Sequence, residues 1–426
     1  NGNNFKKERS DILDRNGITL ASNINIYDAA IIPSLVKNNK KLLINLKLVL
    51  PNLNIKKIKK DLKRKKYFYI KRRLTEDEYT KLWLLGNKAI DFSKRQDRIY
   101  PQKNLFSHVL GQVDDENDGI SGVEKFFNSK LKNKKLTNFP LRLTLDSNLQ
   151  YLIREELINA KIDFNTVGSA AILMNAQSGE ILSLISLPDY DLNQRIEISD
   201  NIYSNKITLG VYELGSVFKT FTIAAALENK IIKPNTTFKN LKNSLTCDKY
   251  TISEHDKLPQ DLTVEQILIR SSNIGAVRIA QKVGIEKYKN FLNSLELLES
   301  INFDLEEIGT PLPFRWGKCK LATTSYGHGI TTTPLQLAKA YAILGNGGYK
   351  IKPTIIKKEQ KISSERKKII SSTTSNEINL MLRKVVSLEE GTANFANIKG
   401  YDIGGKTGTA LKYNSKAKLN TFVSLF

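Results

Sequence analysis

Hydrophobic and polar positions follow a mixed pattern over the first 140 residues. Residues 66–71 place Tyr, Phe, Tyr and Ile between two lysines, which is typical of a strand. Residues 76–85 have the apolar spacing of a short helix. A loop-rich segment with several glycines opens at residues 98–101. The pattern predicts an N-terminal domain over residues 1–140.

Longer apolar segments begin near residue 141. Residues 146–160 are predicted to form an amphipathic helix that starts from the acidic cap Asp146. The apolar stripe of this helix consists of Leu149, Leu152, Ile153 and Leu157. Two apolar runs on either side of residues 176–179 predict a β-hairpin.

Helices are predicted to dominate the middle of this second region. Thr263 and Thr333 each begin a capping box, and Pro334 takes the first helical position after the second one. The helix after Pro334 is expected to end at residues 345–348, which are Gly, Asn, Gly and Gly. Strands are expected again from about residue 400. This order predicts an α+β domain over residues 141–426 whose central sheet is closed by late strands.

Positive charge is the strongest feature of the composition. Lys and Arg number 66 against 43 Asp and Glu, which gives a net charge of +23. Nucleic-acid binding, an anionic membrane or cell wall, and a coding bias toward Lys, Asn and Ile would each explain it. The bias is preferred, because these three residue types are enriched together almost everywhere. Residues 37–73 hold fifteen Lys or Arg and only Asp61 as an acid, and a solvated surface is preferred there over a polyanion-binding face.

Metal chemistry is disfavoured by the scatter of its usual ligands. The two cysteines, Cys247 and Cys319, are far apart, and so are the three histidines. Whether the cysteines pair is left open. No apolar run approaches the ~20 residues that span a bilayer. The chain does not begin with Met and ends inside an apolar run, so we expect a fragment of a longer protein.

An S-x-x-K motif at Ser216 and Lys219 carries the first candidate chemistry. The motif alone is weak, because it also begins at Ser34, Ser129, Ser364 and Ser415. Ser216 differs in opening a strong helix former, which places Lys219 one turn away on the same side. A serine is a poor nucleophile until a base takes its proton, and a lysine in its neutral form is such a base. The alternative is a simple N-cap at Ser216.

An S-x-N motif, Ser271 to Asn273, falls between two predicted helices over residues 263–269 and 274–283. A turn there would direct Ser271 and Asn273 into a cleft while Ser272 points elsewhere. Ser271 would relay a proton to a leaving amine, and Asn273 would hydrogen-bond a substrate amide. A helix–helix turn capped by Asn explains the pattern equally well.

A Gly-rich segment at residues 404–410 contains the one K-T-G of the chain. It lacks the spacing of a phosphate-binding loop. Gly408 would permit the close approach of a second backbone, and Lys406 would supply a fixed cation. The hydroxyls of Thr407 and Thr409 would receive a carboxylate, and the Thr409 N–H would join the Ser216 N–H in an oxyanion hole. The alternative is a bare Gly-rich turn.

The three motifs occur in the order used by penicillin-recognising serine acyl-transferases. The whole chain resembles a class B penicillin-binding protein. In the N-terminal half, the resemblance rests on residues 9–17, 98–101, 108–111 and 119–124. At the start of the second domain, it rests on residues 179–182 and 188–193. Leu214 stands where the family has Pro before the Gly-Ser of its nucleophile motif, and Ser10 replaces a Gly.

The resemblance implies a penicillin-binding transpeptidase domain, like that of serine β-lactamases, over residues 141–426. It implies an elongated pedestal of the dimerisation type over residues 1–140. It also implies a membrane anchor before Asn1, a last strand and helix after Phe426, and an inner-membrane protein whose catalytic domain is periplasmic. The S-x-N motif and residues 324–336 resemble the cell-division (FtsI-like) branch. An elongation-type enzyme is the alternative.

The resemblance further implies a two-step acyl transfer without a cofactor or metal. Ser216 would attack the D-Ala-D-Ala carbonyl of one stem peptide, and an amine of a second stem would resolve the acyl-enzyme. The implied catalytic residues are Ser216, Lys219, Ser271 and Lys406, and the implied substrate-binding residues are Asn273, Thr407, Gly408 and Thr409. Implied partners are stem peptides, β-lactams and divisome membrane proteins including a glycosyltransferase, with no nucleic acid. Alternatives are a D,D-carboxypeptidase, a β-lactamase and a non-catalytic scaffold or β-lactam sensor.

Overall fold

The N-terminal part of the chain is built around one long strand. The computed structural model describes residues 8–194, 200–248, 250–358, 366–411 and 418–426. The elements of this part are β1 Ile12–Leu13, β2 Thr19–Ile31, α1 Asn39–Val49, α2 Ile55–Lys63, β3 Phe68–Leu74, α3 Glu76–Leu84, β4 Ile90–Ile99, α4 Ser107–Leu110, α5 Gly122–Phe126, α6 Asn128–Leu131 and β5 Leu141–Arg142. Strand β2 pairs antiparallel with β1, β3 and β4, and β1 also pairs in parallel with β5.

Helices α1 and α2 are attached to this sheet by a few apolar side chains. Leu42 and Leu46 of α1 and Ile58 and Leu62 of α2 are buried in one cluster with residues of β2 and β3. The lysines of α2 are exposed, as a solvated surface requires. The strand predicted at residues 66–71 is β3, which begins two residues later, and the predicted helix at 76–85 is α3.

A buried ion network joins the segment before β1, the end of β4 and helix α5. Glu124 accepts hydrogen bonds from the Nε atoms of Arg9 and Arg98, both at 2.7 Å, and all three side chains are fully buried. Arg9 also donates to Asn128 Oδ1 at 2.6 Å and to the Glu124 carbonyl at 2.6 Å. Charges removed from water are tolerated only when they are paired and hydrogen-bonded, so this network fixes how the three segments meet.

The C-terminal part begins with a helix and a hairpin and continues mainly as helices. Its elements are α7 Ser147–Phe164, β6 Ser169–Met174, β7 Ile181–Leu187, α8 Asp200–Tyr203, α9 Phe218–Glu228, β8 Thr237–Phe238, β9 Ser244–Cys247, β10 Tyr250–Ser253, β11 Leu262–Thr263, α10 Val264–Ile269, α11 Asn273–Val283, α12 Ile285–Ser294, α13 Lys318–Thr324, α14 Pro334–Gly345, α15 Ser372–Ser387, β12 Gly404–Leu411 and β13 Lys418–Leu425. Both predicted capping boxes are present, at the starts of α10 and α14. In the described ranges no helix is long and apolar enough to cross a membrane.

The predicted apolar stripe of α7 is wrong in part. Asp146 caps the helix as expected, but Leu152 is 59% exposed, and the buried positions include Gln150. The Gln150 side chain accepts from the Leu184 N–H at 2.9 Å and donates to the Leu184 carbonyl at 2.8 Å. The helix therefore contacts β7 through a buried amide that satisfies both backbone groups, which an apolar stripe cannot anticipate.

Helix α9 is the centre of the largest core. Every residue from Phe218 to Leu227 is buried, and α9 packs against α10, α11, α12 and α15. A helix that is buried on all sides presents no polar face to solvent, which is why this segment has little amphipathic character. The residues just before α9 are consequently held in place by the core.

The late strands do not close one continuous sheet in the part of the chain that the structure describes. Strand β12 pairs antiparallel with β13, while β6 pairs only with β7. Both hairpins pack on α14, through β6 in one and β13 in the other. The prediction of one closed central sheet is therefore wrong for the described residues. The two hairpins share contacts with α14 and are not paired with each other through their backbones.

The buried ion network gives a direct stability prediction. Replacing Glu124 with Ala leaves two buried guanidinium groups without their carboxylate and should lower the free energy of unfolding by about 3–5 kcal/mol. Asp77→Ala is the control, because it removes the exposed ion pair with Lys81 and should cost less than about 1 kcal/mol. Urea unfolding of both variants measures the difference, and equal losses would contradict the role assigned to Glu124.

Candidate active site

Ser216 lies in a short 3-10 turn, Gly215–Val217, that leads directly into α9. It is half-buried, whereas Leu214 before it is buried in the core. Gly215 has φ +64, and a Cβ on it would lie 2.5 Å from the Thr409 carbonyl oxygen. Glycine is therefore required here for two reasons, a left-handed backbone and the contact with β12.

Strand β12 brings the K-T-G residues against this turn. A Cβ on Gly408 would lie 2.2 Å from the Leu214 carbonyl oxygen, so the strand can approach only with glycine at this position. Lys406 is fully buried, and its Nζ donates to the Thr407 carbonyl at 3.0 Å and to Ser271 Oγ at 2.9 Å. The strand therefore links the serine turn to the S-x-N motif.

Two lysine side chains hydrogen-bond to Ser271. It occupies the turn between α10 and α11 with φ +57, a conformation that L residues rarely adopt. Lys219 Nζ donates to Ser271 Oγ at 3.0 Å and, in a short bond, to the Ser271 carbonyl. Lys219 and Lys406 are both fully buried, so two amines from different elements converge on one hydroxyl.

Burial shifts both amines away from their ordinary charge state. The pKa of Lys219 lies well below its usual value, first because burial disfavours the ammonium form and second because Lys406 is a nearby cation. Glu254 acts in the opposite direction on the pKa of Lys219. Burial also lowers the pKa of Lys406 to about 7. A neutral amine is thereby available near neutral pH, as a lysine base needs.

A cavity of about 140 Å³ opens above these residues. Five of the predicted site residues line it: Ser216, Ser271, Thr407, Gly408 and Thr409. The two lysines are not among its lining residues, but both hydrogen-bond to Ser271, which is. Elements separated by about 190 residues in the chain, the 3-10 turn and β12, therefore form one site.

Two predicted contacts have other partners in the structure. Lys219, which was predicted to lie on the same side of the helix as the Ser216 hydroxyl, donates its hydrogen bonds to Ser271 in the described ranges. Asn273 is buried, and its Nδ2 donates to the Ser253 carbonyl at 2.8 Å. Asn273 Oδ1 is buried and has no hydrogen-bond partner in the described ranges. The substrate contact predicted for Asn273 stays a prediction.

One wall of the cavity consists of residues outside the predicted site. The missed lining residues are Glu254, His255, Asp256, Leu258, Arg270 and Thr392. Several of them follow the β9–β10 hairpin, which a disulfide between Cys247 and Cys319 ties to α13, with a Cα–Cα distance of 5.5 Å. Arg270 precedes Ser271 directly and could have been suspected, whereas nothing local distinguishes Glu254 from other acids of the chain.

An ion pair borders the turn that carries Ser216. His328 Nδ1 lies 3.2 Å from Glu213 Oε2, and this contact raises the pKa of His328. A Cβ on Gly327 would lie 1.9 Å from the Gly215 carbonyl oxygen, so the loop with His328 rests directly on the turn. The segment before Ser216 is thus held from two sides, by this loop and by β12.

Comparison with known proteins identifies the family of this chain. The penicillin-binding protein transpeptidase domain matches residues 169–426, and the penicillin-binding protein dimerisation domain matches residues 5–138. The chain is 30% identical to the probable peptidoglycan D,D-transpeptidase FtsI of Caulobacter vibrioides over 98% of its own length and 72% of that protein. It is 32% identical to the peptidoglycan D,D-transpeptidase FtsI of Buchnera aphidicola (98% and 79%) and 30% identical to the stage V sporulation protein D of Bacillus subtilis (96% and 69%). The chain therefore belongs to the class B penicillin-binding proteins and is FtsI-like among them.

Proposed function

We propose that the protein is a serine peptidoglycan D,D-transpeptidase that cross-links stem peptides during septal cell-wall synthesis. The observation that carries this proposal is the convergence of Lys219 and Lys406 on the Ser271 hydroxyl beside a cavity that Ser216 lines. The names of the FtsI relatives support the reaction and the septal role. Penicillin binding follows from the same family assignment.

Acylation is the first chemical step of this proposal. Ser216 Oγ attacks the carbonyl carbon between the two D-Ala residues of a donor stem, and its proton passes to neutral Lys219. The N–H groups of Ser216 and Thr409 stabilise the oxyanion, since Thr409 lies against the turn of Ser216. The C–N bond then breaks, and the departing D-Ala amine receives a proton through Ser271, whose hydroxyl contacts both lysines.

Transfer to the acceptor is the second step. The amine of a second stem attacks the acyl-enzyme carbonyl, its proton returns through the same serine–lysine cluster, and Ser216 leaves as a hydroxyl. Protonated Lys406 with the hydroxyls of Thr407 and Thr409 would attract the terminal carboxylate of the donor. Gly408 would leave room for the donor backbone along β12, and Asn273 would hydrogen-bond a substrate amide.

The arrangement of the chain follows from the same proposal. Residues 1–140 are the pedestal, and residues 141–426 are the transpeptidase domain. The protein is attached to the inner membrane with its catalytic domain in the periplasm. Its partners are divisome membrane proteins, including a glycosyltransferase that supplies the glycan strands.

Covalent labelling tests the nucleophile. After incubation with benzylpenicillin, intact-mass spectrometry should show a stable adduct of one penicillin, because acylation traps the ester on Ser216. Ser216→Ala should show none. Ser34→Ala is the matched control, since Ser34 begins another S-x-x-K and is exposed, and it should label like the unmodified protein. Labelling that persists in Ser216→Ala would rule out the proposed nucleophile.

The buried amine of Lys406 should destabilise the fold at acidic pH. Its pKa of about 7 in the folded state lies below its ordinary value of 10.5, so the unfolded state binds the proton more tightly, and stability falls as the pH drops between these values. Lys406→Met removes this cost. The variant should be more stable than the unmodified protein, and the gain should be larger at pH 6 than at pH 9 by about 3 kcal/mol.

Thermal or urea unfolding at the two pH values measures this difference. Lys399→Met is the control, because Lys399 is exposed and should give the same stability change at both pH values. A gain for Lys406→Met that does not grow toward pH 6 would mean that Lys406 is not held partly neutral in the folded protein.

A further inference from the structure

Glu254 contacts both the cavity and the S-x-N motif. It follows the β9–β10 hairpin directly, lines the cavity together with Ser216 and Ser271, and is half-buried. None of the three sequence motifs includes it. Its carboxylate is nevertheless the acidic group that acts on the pKa of Lys219.

The carboxylate of Glu254 caps the start of α11. It accepts from the Asn273 N–H at 2.7 Å, from the Ile274 N–H at 3.0 Å and from Ser272 Oγ at 2.5 Å. The first N–H groups of a helix have no partner within the helix, and an anion there also interacts favourably with the helix dipole. Three hydrogen bonds to one charged group make this a strong attachment.

This attachment bears on Ser271 because Ser271 is the residue immediately before the capped segment. Its left-handed backbone, φ +57, is held only where the surrounding contacts determine it. Glu254 fixes Ser272 and Asn273 on one side, and α10 fixes Arg270 on the other. The hydroxyl that both lysines share is therefore presented by a turn whose C-terminal half is held by Glu254.

The charge of Glu254 also acts on Lys219. Lys406 lowers the pKa of Lys219 and Glu254 raises it, so the two neighbours oppose each other. The other charged or titratable groups around the cavity are His255, Asp256 and Arg270. Arg270 is itself paired with Glu390 at 2.5 Å. Glu254 thus combines a structural contact with an electrostatic one.

We propose that Glu254 is a positioning residue for acylation, holding the Ser271–Asn273 turn in register with the lysine pair and placing a negative charge near Lys219. The inference rests on the proposed function in one respect, the assignment of Lys219 as the base. It adds a residue from a hairpin outside the three motifs to the machinery of the reaction.

Glu254→Gln is the decisive variant, because it keeps the size of the side chain but removes its charge and one acceptor oxygen. The rate of acylation by a fluorescent penicillin, measured from pH 5 to pH 9, should fall about tenfold to a hundredfold at its optimum. The acid limb of the profile should also move to lower pH, because Lys219 loses a neighbouring anion and stays neutral in more acidic solution.

Glu254→Asp separates position from charge. The shorter side chain keeps the anion but cannot reach all three donors, so the rate should fall while the acid limb stays close to that of the unmodified protein. Glu228→Gln is the matched control: Glu228 caps α15 through Ser371 and Thr374, at the end of α9 remote from Ser216. It should lower the melting temperature and leave the pH profile unchanged.

The outcomes distinguish this inference from the proposed function. An unmodified protein that fails to react with penicillin, or a Ser216→Ala variant that still reacts, would overturn the proposed function itself. If labelling depends on Ser216 but Glu254→Gln matches the unmodified protein in rate and in acid limb, only the role of Glu254 is overturned. A slower Glu254→Gln with an unmoved acid limb would refute the electrostatic half of the role.

Discussion

Two buried amines that share one hydroxyl are the constraint on which this structure depends. Lys219 and Lys406 come from different elements, α9 and β12, and neither is accessible to solvent. Two ammonium groups cannot be held together in a dry interior without a large electrostatic cost. The cluster is therefore compatible with burial only if a proton is missing, and a missing proton is what a serine nucleophile needs from its base.

The surrounding fold serves to hold that cluster. Lys219 belongs to the buried helix α9, which holds it in place. Close backbone contacts at Gly215 and Gly408 bring β12 to the serine turn. Such contacts leave no room for a side chain, so they define distances more tightly than side-chain packing does. The N-terminal part is fixed in a different way, by the Glu124 carboxylate, which is buried and shared between Arg9 and Arg98. Buried ionisable groups therefore matter in both regions. They join segments of the fold in the N-terminal part and serve the proposed reaction in the C-terminal part.

Local patterns in the sequence predict much of the fold. The capping boxes at Thr263 and Thr333 and the hairpin around residues 176–179 are found where the sequence places them, because each depends on neighbouring residues only. The family and its α+β fold were likewise predictable, because three short motifs in a fixed order carry them. Gln150 was not, since a buried amide is explained only by the strand that it meets.

The same distinction separates the predicted from the unpredicted parts of the site. The motifs identify Ser216, Ser271 and Lys406, but they do not show that Ser271 receives both amines, which depends on the crossing of three elements. Glu254 lies outside every motif, and its importance arises from where the β9–β10 hairpin meets α11. Contacts between distant segments are what a sequence pattern leaves undetermined.

The protonation state of the two lysines is the most direct test of this account. An NMR titration of lysine side-chain resonances, assigned with the variants Lys219→Met and Lys406→Met, reports the pKa of each amine. We expect a pKa of about 7 for Lys406 and a pKa well below 10.5 for Lys219. Two amines that both remain protonated up to pH 10 would contradict it, because no neutral base would then be available to Ser216.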